Sequence, residues 1–410
     1  MKQQHFVRLL VVAVSLLALV LCIPWTAFAD FIPTTGSSAD LVLGQVDFFS
    51  NSSATTKTGM NEPGAVAVDP ISRKVFVADR NNHRVLRFAS VTALVDGVAA
   101  EGVLGQADFN HGLANRGGAV AANTMNSPFG VHVDSAGRLW VADDFNHRVL
   151  RFDNAATKAN GANADGVLGQ LDFNHDGFAT TKSGMNTPTH VFVTQDGQLW
   201  VAEYGNNRVL RFDNAASKAN GSDADGVLGQ PNFTTNTSAT TKNGMMGPVA
   251  VFVDFSGRLW VADHENHRVL RFDAVGSKPD GANADGVLGQ VDFTSKAISC
   301  TQSSMNYPRG VSGDFDGRLY VSDGNNNRVL VFLHAAGLSY GANADLVLGQ
   351  TDFTTCTPNT GGISASTLYR PSRIFYDLPT RVLWVADRLN HRVLMYGVLK
   401  FSVYLPVMKN

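Results

Sequence analysis

The stretch that decides the fold reads LWVADDFNHRVLRF at residues 139–152. Close copies of it begin at Val75, Leu199, Leu259, Leu319 and Leu383. The arginine inside each copy recurs every 60 or 64 residues, at Arg84, Arg148, Arg208, Arg268, Arg328 and Arg392. Self-similarity at a fixed period is the signature of a repeat architecture. The chain is therefore predicted to contain six copies of one structural unit.

Each unit contains four short segments that are typical of β-strands. They are rich in β-branched and aromatic residues and are separated by Gly, Asn, Asp and Pro, as at 128–133, 138–142, 147–152 and 166–170. Six four-stranded units in one chain favour a radial propeller of six blades. The predicted repeat cores cover about 63–88, 128–152, 188–212, 248–272, 308–332 and 371–396.

The ends of the chain predict how the ring closes. A fourth-strand phrase of the form Leu-Val-Leu-Gly-Gln or Gly-Val-Leu-Gly-Gln occurs six times, and its first copy, at Leu41, precedes any complete unit. The sixth unit, which ends near Tyr396, has no such phrase after it. The strand around Leu41 is therefore predicted to complete the last blade, which would close the ring and remove free sheet edges.

The recurring Ala-Asp-x-x-Asn-His-Arg-Val-Leu pattern resembles the NHL repeat, and the resemblance extends from residue 39 to about 399. It implies an all-β, six-bladed propeller over residues 30–399. NHL rings of bacterial receptors and cell-surface proteins serve as sensor or binding domains. The resemblance therefore implies a non-catalytic binding or scaffold module that presents one loop face to a protein, peptide or glycan.

The N-terminus predicts export. Lys2 and Arg8 precede an apolar run, and Ala27-Phe28-Ala29 forms a small-x-small cleavage pattern, so residues 1–29 have the layout of a secretory signal. An uncleaved anchor is the alternative. No later segment is apolar and long enough to span a bilayer. A secreted or cell-surface location is expected, and residues 400–410 form a C-terminal tail.

Charge and cysteine content narrow the function classes. The chain has 33 basic and 35 acidic residues, and cleavage would remove two of the basic ones, so nothing favours nucleic-acid binding. Two of the three cysteines, Cys300 and Cys356, lie beyond the signal in equivalent connections of neighbouring units. A disulfide between them and two free thiols are both open alternatives.

The repeated polar residues are interpreted as structural. The second strand of each unit ends in an acid, namely Asp79, Asp143, Glu203, Asp263, Asp323 or Asp387. A short polar side chain at this place can bond to the amides of the following turn, and the repeated arginine can reach it. His83, His147, His267 and His391 share their position with Asn207 and Asn327, and Asn is a poor substitute for a zinc ligand.

Residues that differ between units at equivalent places are the better candidates for a ligand site. On the face where second and third strands connect, they are predicted to form a basic arc opposite an acidic and aromatic arc, suited to a carboxylate or sugar. The basic arc comprises Arg80, Arg309, Arg373 and Arg388. The other arc includes Phe129, Asp144, His190, Tyr204 and His264.

A metal-dependent propeller enzyme, a lyase or a lactonase-like hydrolase, is the alternative function. The NHL fold is similar to that of an amidating lyase with a histidine-held zinc in its channel. Here only His190 and His264 are expected near one channel mouth, one histidine short of a three-histidine site. No cofactor and no catalytic residue are predicted, and a divalent metal in the channel stays an open alternative.

Overall fold

The protein is described by a computed structural model that covers residues 33–397. It consists of six four-stranded antiparallel sheets, and the described residues contain no α-helix. The predicted signal segment 1–29 and the tail 400–410 lie outside the described residues. This architecture confirms the predicted six-bladed propeller.

The strands are numbered in chain order, and blades 1 to 6 follow one another along the chain. The first strands are β2 (Pro63–Val68), β6 (Pro128–Val133), β10 (Pro188–Val193), β14 (Pro248–Val253), β18 (Pro308–Gly313) and β22 (Ile374–Asp377). The second strands are β3 (Lys74–Asp79), β7 (Leu139–Asp143), β11 (Leu199–Glu203), β15 (Leu259–Asp263), β19 (Leu319–Asp323) and β23 (Val382–Asp387). The third strands are β4 (Arg84–Ser90), β8 (Arg148–Phe152), β12 (Arg208–Phe212), β16 (Arg268–Phe272), β20 (Arg328–Phe332) and β24 (Arg392–Tyr396). The fourth strands are β5 (Gly102–Leu104), β9 (Gly166–Leu168), β13 (Gly226–Leu228), β17 (Gly286–Leu288), β21 (Leu346–Leu348) and β1 (Leu41–Leu43).

Short 3₁₀ turns connect many of these strands. Between second and third strands they are Arg80–Asn82, Asp144–Asn146, His264–Asn266, Gly324–Asn326 and Arg388–Asn390. After third strands they are Val91–Ala93, Ala155–Thr157, Ala215–Ser217, Val275–Ser277 and Ala335–Gly337, and a further one lies at Ala114–Gly117.

The ring closes as the sequence predicts. Strand β1 pairs antiparallel with β24, with Leu41 opposite Met395 and Leu43 opposite Val393, so the sixth sheet has the order β1-β24-β23-β22. The strand that comes first in the chain is therefore the outer strand of the last blade. No separate edge is left between the first and last units.

The hydrophobic core lies between the blades. In one of six such clusters, Trp140 and Ala142 on one face of blade 2 pack against Val191, Leu199 and Val201 of blade 3. Each sheet contributes to a cluster on both of its faces, which is why its strands are apolar at successive positions. The aromatic residue of the repeat is therefore core filling.

A buried ion pair fixes the turn between second and third strands. In blade 2, Arg148 Nε donates to Asp143 Oδ2 at 2.8 Å, and Asn146 Nδ2 donates to the same oxygen at 2.7 Å. Arg148 Nη2 also donates to the carbonyl oxygens of Ala121 and Thr124 at 2.9 Å each. Equivalent Arg–acid pairs occur in all six blades and are fully buried. The repeated Asp, Asn and Arg therefore hold the loop that enters each blade.

The repeated His or Asn links each blade to the next. His147 Nδ1 accepts a hydrogen bond from the Thr187 amide of blade 3 at 3.0 Å, and Asn207 Oδ1 accepts one from the Gly247 amide of blade 4 at 2.8 Å. Both residues have a positive φ, which Asn and His tolerate better than most residues. The same bond recurs at His83, His267, Asn327 and His391, so these side chains form a ring of inter-blade contacts.

Blades 5 and 6 are also joined covalently. Cys300 and Cys356 form a disulfide with a Cα–Cα distance of 6.3 Å, between the loops that lead into β18 and toward β22. Of the two alternatives left open by the sequence, the structure contains the bridged form. It connects two consecutive units at one side of the ring.

Candidate functional site

The six first strands surround a central channel with two different ends. At the upper mouth the first strands begin and the second strands end. At the lower end the first strands turn back into the second strands. In blades 1 to 5 the register shifts directly after the proline that begins the first strand, and such bulges re-aim side chains. The residues at this bulge are Gly64, Phe129, Thr189, Val249 and Arg309.

Arg80 and Arg388 each have an acidic neighbour at the upper mouth. Arg388 Nε donates to Glu62 Oε2 at 2.7 Å, and Arg80 Nη2 lies 3.7 Å from Asp144 Oδ2. Burial raises the pKa of Asp144 to about 7, against the attraction of Arg80 and Arg373. The two predicted arcs therefore do not simply face one another. Arg80 of the basic arc and Asp144 of the other arc follow the second strands of neighbouring blades and form an ion pair.

Arg309 has no such partner. The residues that the structure describes offer its half-buried guanidinium no hydrogen bond or ion pair, and its Nε is buried without an acceptor. Burial, followed by repulsion from Arg388, Arg370 and Arg80, lowers the pKa of Arg309 to about 9. Its side chain occupies space left by Gly324, where an added Cβ would lie 2.6 Å from Arg309 Cδ.

Arg373 forms the floor of the upper mouth. It is 1% exposed and extends from blade 6 across the channel, where Nη2 donates to the carbonyl oxygens of Thr189 at 3.0 Å and Val249 at 2.7 Å. Its guanidinium carbon lies 3.6 Å from the centre of the Phe129 ring, close enough for a cation–π contact. Arg373 and Phe129 therefore separate the upper mouth from the space below.

The remaining predicted site residues lie on the side of blades 3 and 4. Tyr204 Oη donates to Glu265 Oε1 at 2.9 Å at the mouth, and the His264 ring is buried, with Nδ1 3.0 Å from the Pro308 carbonyl oxygen. His190 does not reach the mouth. It lies below the floor, where its Nδ1 accepts a hydrogen bond from the Val251 amide at 3.3 Å.

The enzymatic alternative requires more ligands than these histidines. Within residues 33–397, no group of three or more His, Cys, Asp and Glu side chains could hold a metal ion. The structure separates His190 and His264 by the floor instead of bringing them to one mouth. Among residues 33–397, these two histidines therefore do not form part of a three-histidine arrangement.

The lower end of the channel contains a cavity of about 480 Å³ that the sequence interpretation missed. All six first strands line it, and the turns that follow them surround its opening. Its wall is mainly valine and phenylalanine, with His132, His190 and Ser312 as polar members of the first strands. One signal was available: the residue opposite the aromatic of each second strand varies between blades, as Ala67, His132, Phe192, Phe252, Ser312 and Phe375.

Two residues of the upper mouth were also missed. Glu62 and Arg370 each stand immediately before the proline at the entry to the blade, Pro63 or Pro371, where the repeat offers no constant residue. Glu62 pairs with Arg388, 326 positions away in the chain, and Arg370 donates to Asn325 Oδ1 at 2.9 Å. The first contact depends on the ring bringing the first and last blades together, whereas the second joins the neighbouring blades 5 and 6.

Comparisons with known proteins agree with this fold. A family model described as NHL repeat matches residues 305–332. NHL repeat-containing protein 2 of Homo sapiens is 24% identical over 380 residues, which cover 85% of this chain and 48% of that protein. Teneurin-1 of Mus musculus is 24% identical over 290 residues, which cover 64% of this chain and 10% of that protein.

A solved structure of a streptogramin B lyase superposes with a TM-score of 0.45 at 11% identity, and covers 85% of this chain and 95% of that chain. The chain thus spans about half of one curated relative and about a tenth of the other. In the part that the structure describes, no helix is long and apolar enough to cross a membrane. The repeat in six blades, the family model that matches one of them and the relative aligned along most of the chain show that this protein is similar to NHL repeat proteins.

Proposed function

We propose that this propeller is a non-catalytic binding module that holds an anionic group of a protein, peptide or glycan at its upper mouth. The observation that carries the proposal is Arg309, a largely desolvated cation without an acceptor in a cluster of arginines. The cluster also contains Arg80, Arg370, Arg373 and Arg388.

The charge balance at the mouth supports an anion. The five arginines are accompanied by three acids: Glu62 bonds to Arg388, Asp144 pairs with Arg80, and Glu265 accepts from Tyr204. Burying an unpaired cation is costly, so such a group is expected where a ligand supplies the missing charge. A guanidinium offers parallel donors that match a carboxylate or sulfate, which makes these the favoured ligand groups.

Action outside the cell is part of the proposal. The predicted secretory signal at residues 1–29 supports it, and so does the Cys300–Cys356 disulfide, because disulfides persist mainly in oxidising compartments. Expression of the full chain with its own N-terminus should release the protein, cleaved after Ala29, into the medium. Recovery of the uncleaved chain with the membrane fraction would instead support the anchor.

The ligand proposal is tested by binding residues 30–410 to an array of sulfated, uronic-acid and neutral glycans together with acidic and neutral peptides. Arg309→Gln should weaken binding to the best anionic ligand by about tenfold, the effect of one charge-assisted contact. Arg258→Gln is the matched control, since it makes the same charge change at the lower end of the ring. Equal losses in both variants, or a preference for neutral ligands, would contradict the proposal.

A further inference from the structure

The lower cavity is a second concave site, separate from the upper mouth. Its volume of about 480 Å³ is in the range of pockets that hold small organic molecules, about 300–1,000 Å³. The cavity extends upward to His190. Just above His190, the Arg373 guanidinium donates to the carbonyl oxygen of Thr189 and closes the upper side. The cavity is therefore a blind pocket that opens only among the turns between first and second strands.

The wall of this pocket favours an uncharged occupant. Neither lysine nor arginine lines it, and its acidic residues lie at the opening. Asp254 there bonds to Arg258 Nε and Trp260 Nε1, while Asp377 bonds to Arg73 and Thr380. Deeper inside, valines and the rings of Phe192, Phe252 and Phe375 face the space, so a charged group would lose its hydration without gaining a counter-charge.

Two imidazoles provide polar contacts at depth, beside the Ser312 hydroxyl, which already accepts a hydrogen bond from the Tyr376 amide. His190 accepts on Nδ1 from the Val251 amide, so its neutral form carries the proton on Nε2. The His132 ring lies 4.7 Å from the Phe192 ring, and burial lowers the pKa of His132 to about 4. His132 is accessible from the cavity, yet protein surrounds it on every other side. Both groups therefore present hydrogen-bonding atoms without charge at neutral pH.

An exposed aromatic pair stands at the opening. Phe255 and Phe315 follow the first strands of blades 4 and 5 and stack with 4.1 Å between ring centres, although they are 49% and 65% exposed. Exposed aromatic surface beside an apolar pocket is typical of a binding site. Phe255 also lines the cavity, so the pair extends the apolar surface outward.

We propose that the lower cavity binds one uncharged, mainly apolar small molecule whose polar group faces His132 and His190. The volume sets the size of this ligand, the wall sets its apolar character, and the two imidazoles favour a single hydroxyl or carbonyl at its inner end. The site is independent of the anion site, because Arg373 and Phe129 lie between them.

Titration of the full chain with the neutral fluorophore N-phenyl-1-naphthylamine tests the proposal. The probe should bind with one site, and 1-decanol should displace it at about tenfold lower concentration than decanoate, because a carboxylate has no counter-charge in the pocket. Val253→Trp should fill the cavity and weaken probe binding by about tenfold, while Val46→Trp, at a position 73% exposed on the outside, should leave it unchanged.

Three results would overturn the proposal. One is a chain that binds no probe, and a second is displacement by decanoate as efficient as by 1-decanol. The third concerns residues 398–410, which follow the last described strand in the chain. If the probe binds only after Phe401→Ser and Leu405→Ser, the tail is the natural occupant. Arg309→Gln should not change probe binding, which separates this test from that of the anion site.

Discussion

The two ends of the channel are built from the same six strands, yet they differ in almost every chemical respect. The upper mouth is crowded with arginines and carboxylates, and its floor is a guanidinium held by backbone carbonyls. The lower cavity is open, mainly apolar and uncharged at depth. The repeat fixes the backbone and the core between blades, so the two ends differ through positions that vary between blades. At the mouth these are the residue after the second-strand acid and the bulge after the proline, and in the cavity it is the residue three positions after the bulge.

The comparison also separates two kinds of arginine at the same mouth. Arg373 Nη2 has two carbonyl acceptors and the guanidinium lies against the Phe129 ring, although its Nε has no acceptor. In contrast, the described residues give the Arg309 guanidinium no hydrogen bond or ion pair, and Glu265 is the one acid that attracts it among several repelling arginines. By this reasoning Arg373 is structural and Arg309 is available to a ligand.

The largest effect is expected when the floor is removed. Arg373→Met keeps most of the volume but removes the guanidinium donor from the carbonyl oxygens of Thr189 and Val249, of which the Val249 oxygen keeps the donor Thr189 Oγ1, so the free energy of unfolding should fall by about 3 kcal/mol. Denaturant unfolding measures the loss. A change below about 0.5 kcal/mol, a size usual for neutral surface substitutions, would show that Arg373 does not hold the two sides of the ring together.

The pH dependence of the two sites should differ as well. The pKa of Asp144 is raised to about 7, so acidification from pH 8 to pH 6 protonates it and makes the mouth more positive. Affinity for a sulfated ligand, whose charge is constant in this range, should rise by about fivefold. The pKa of His264 is well below its ordinary value, so this group stays neutral throughout.

Asp144→Asn provides the control for this titration. The variant should bind with the higher affinity at every pH between 6 and 8, because the carboxyl group is absent. Probe binding in the lower cavity should be constant over the same range, since His132 titrates only near pH 4. A slope that persists in Asp144→Asn would assign the pH dependence to another group.

Substitution of Arg309 should change the free energy of unfolding by less than substitution of Arg373, and in the opposite direction. Arg309→Met removes a buried charge together with its repulsion by Arg388, Arg370 and Arg80, and it breaks no hydrogen bond. The free energy of unfolding should rise by about 0.5–1 kcal/mol while anion affinity falls, the trade-off typical of functional sites. Arg258→Met is a suitable control. A loss of stability in Arg309→Met would indicate that Arg309 has a structural role.

The features of the fold and the site that could be predicted from the sequence are those that the repeat determines. The six blades, the four strands of each and the closure through Leu41–Leu43 followed from the period of the sequence. Most candidates for the upper mouth were identified because they differ between units at an equivalent place. Their pairing was not predictable, because contacts such as that of Arg388 with Glu62 depend on the ring bringing distant residues together.

The lower cavity was missed for a geometric reason. Residues inside the first strands, such as Phe192 and Phe252, were not among the predicted site residues, since apolar strand positions usually belong to the core. At the centre of a six-bladed ring, however, the innermost strands do not meet, and a space remains that the sequence does not reveal. His190 was assigned to the wrong side of the floor because the floor itself depends on the long reach of Arg373.

The smallest effect is expected at the opening of the lower cavity. Phe315 is 65% exposed and stacks on Phe255, so its aromatic contact contributes only about 0.5 kcal/mol or less to folding. Phe315→Ser should therefore leave thermal unfolding almost unchanged, yet weaken binding of a neutral apolar probe by about threefold, because the extended aromatic surface is lost.

Phe178→Ser replaces another phenylalanine, 71% exposed and in a loop that precedes a first strand, and should affect neither property. If Phe315→Ser lowers stability by more than it lowers affinity, the aromatic pair serves the fold. The lower end of the channel would then differ from the upper mouth in composition, and its rim would not take part in ligand binding.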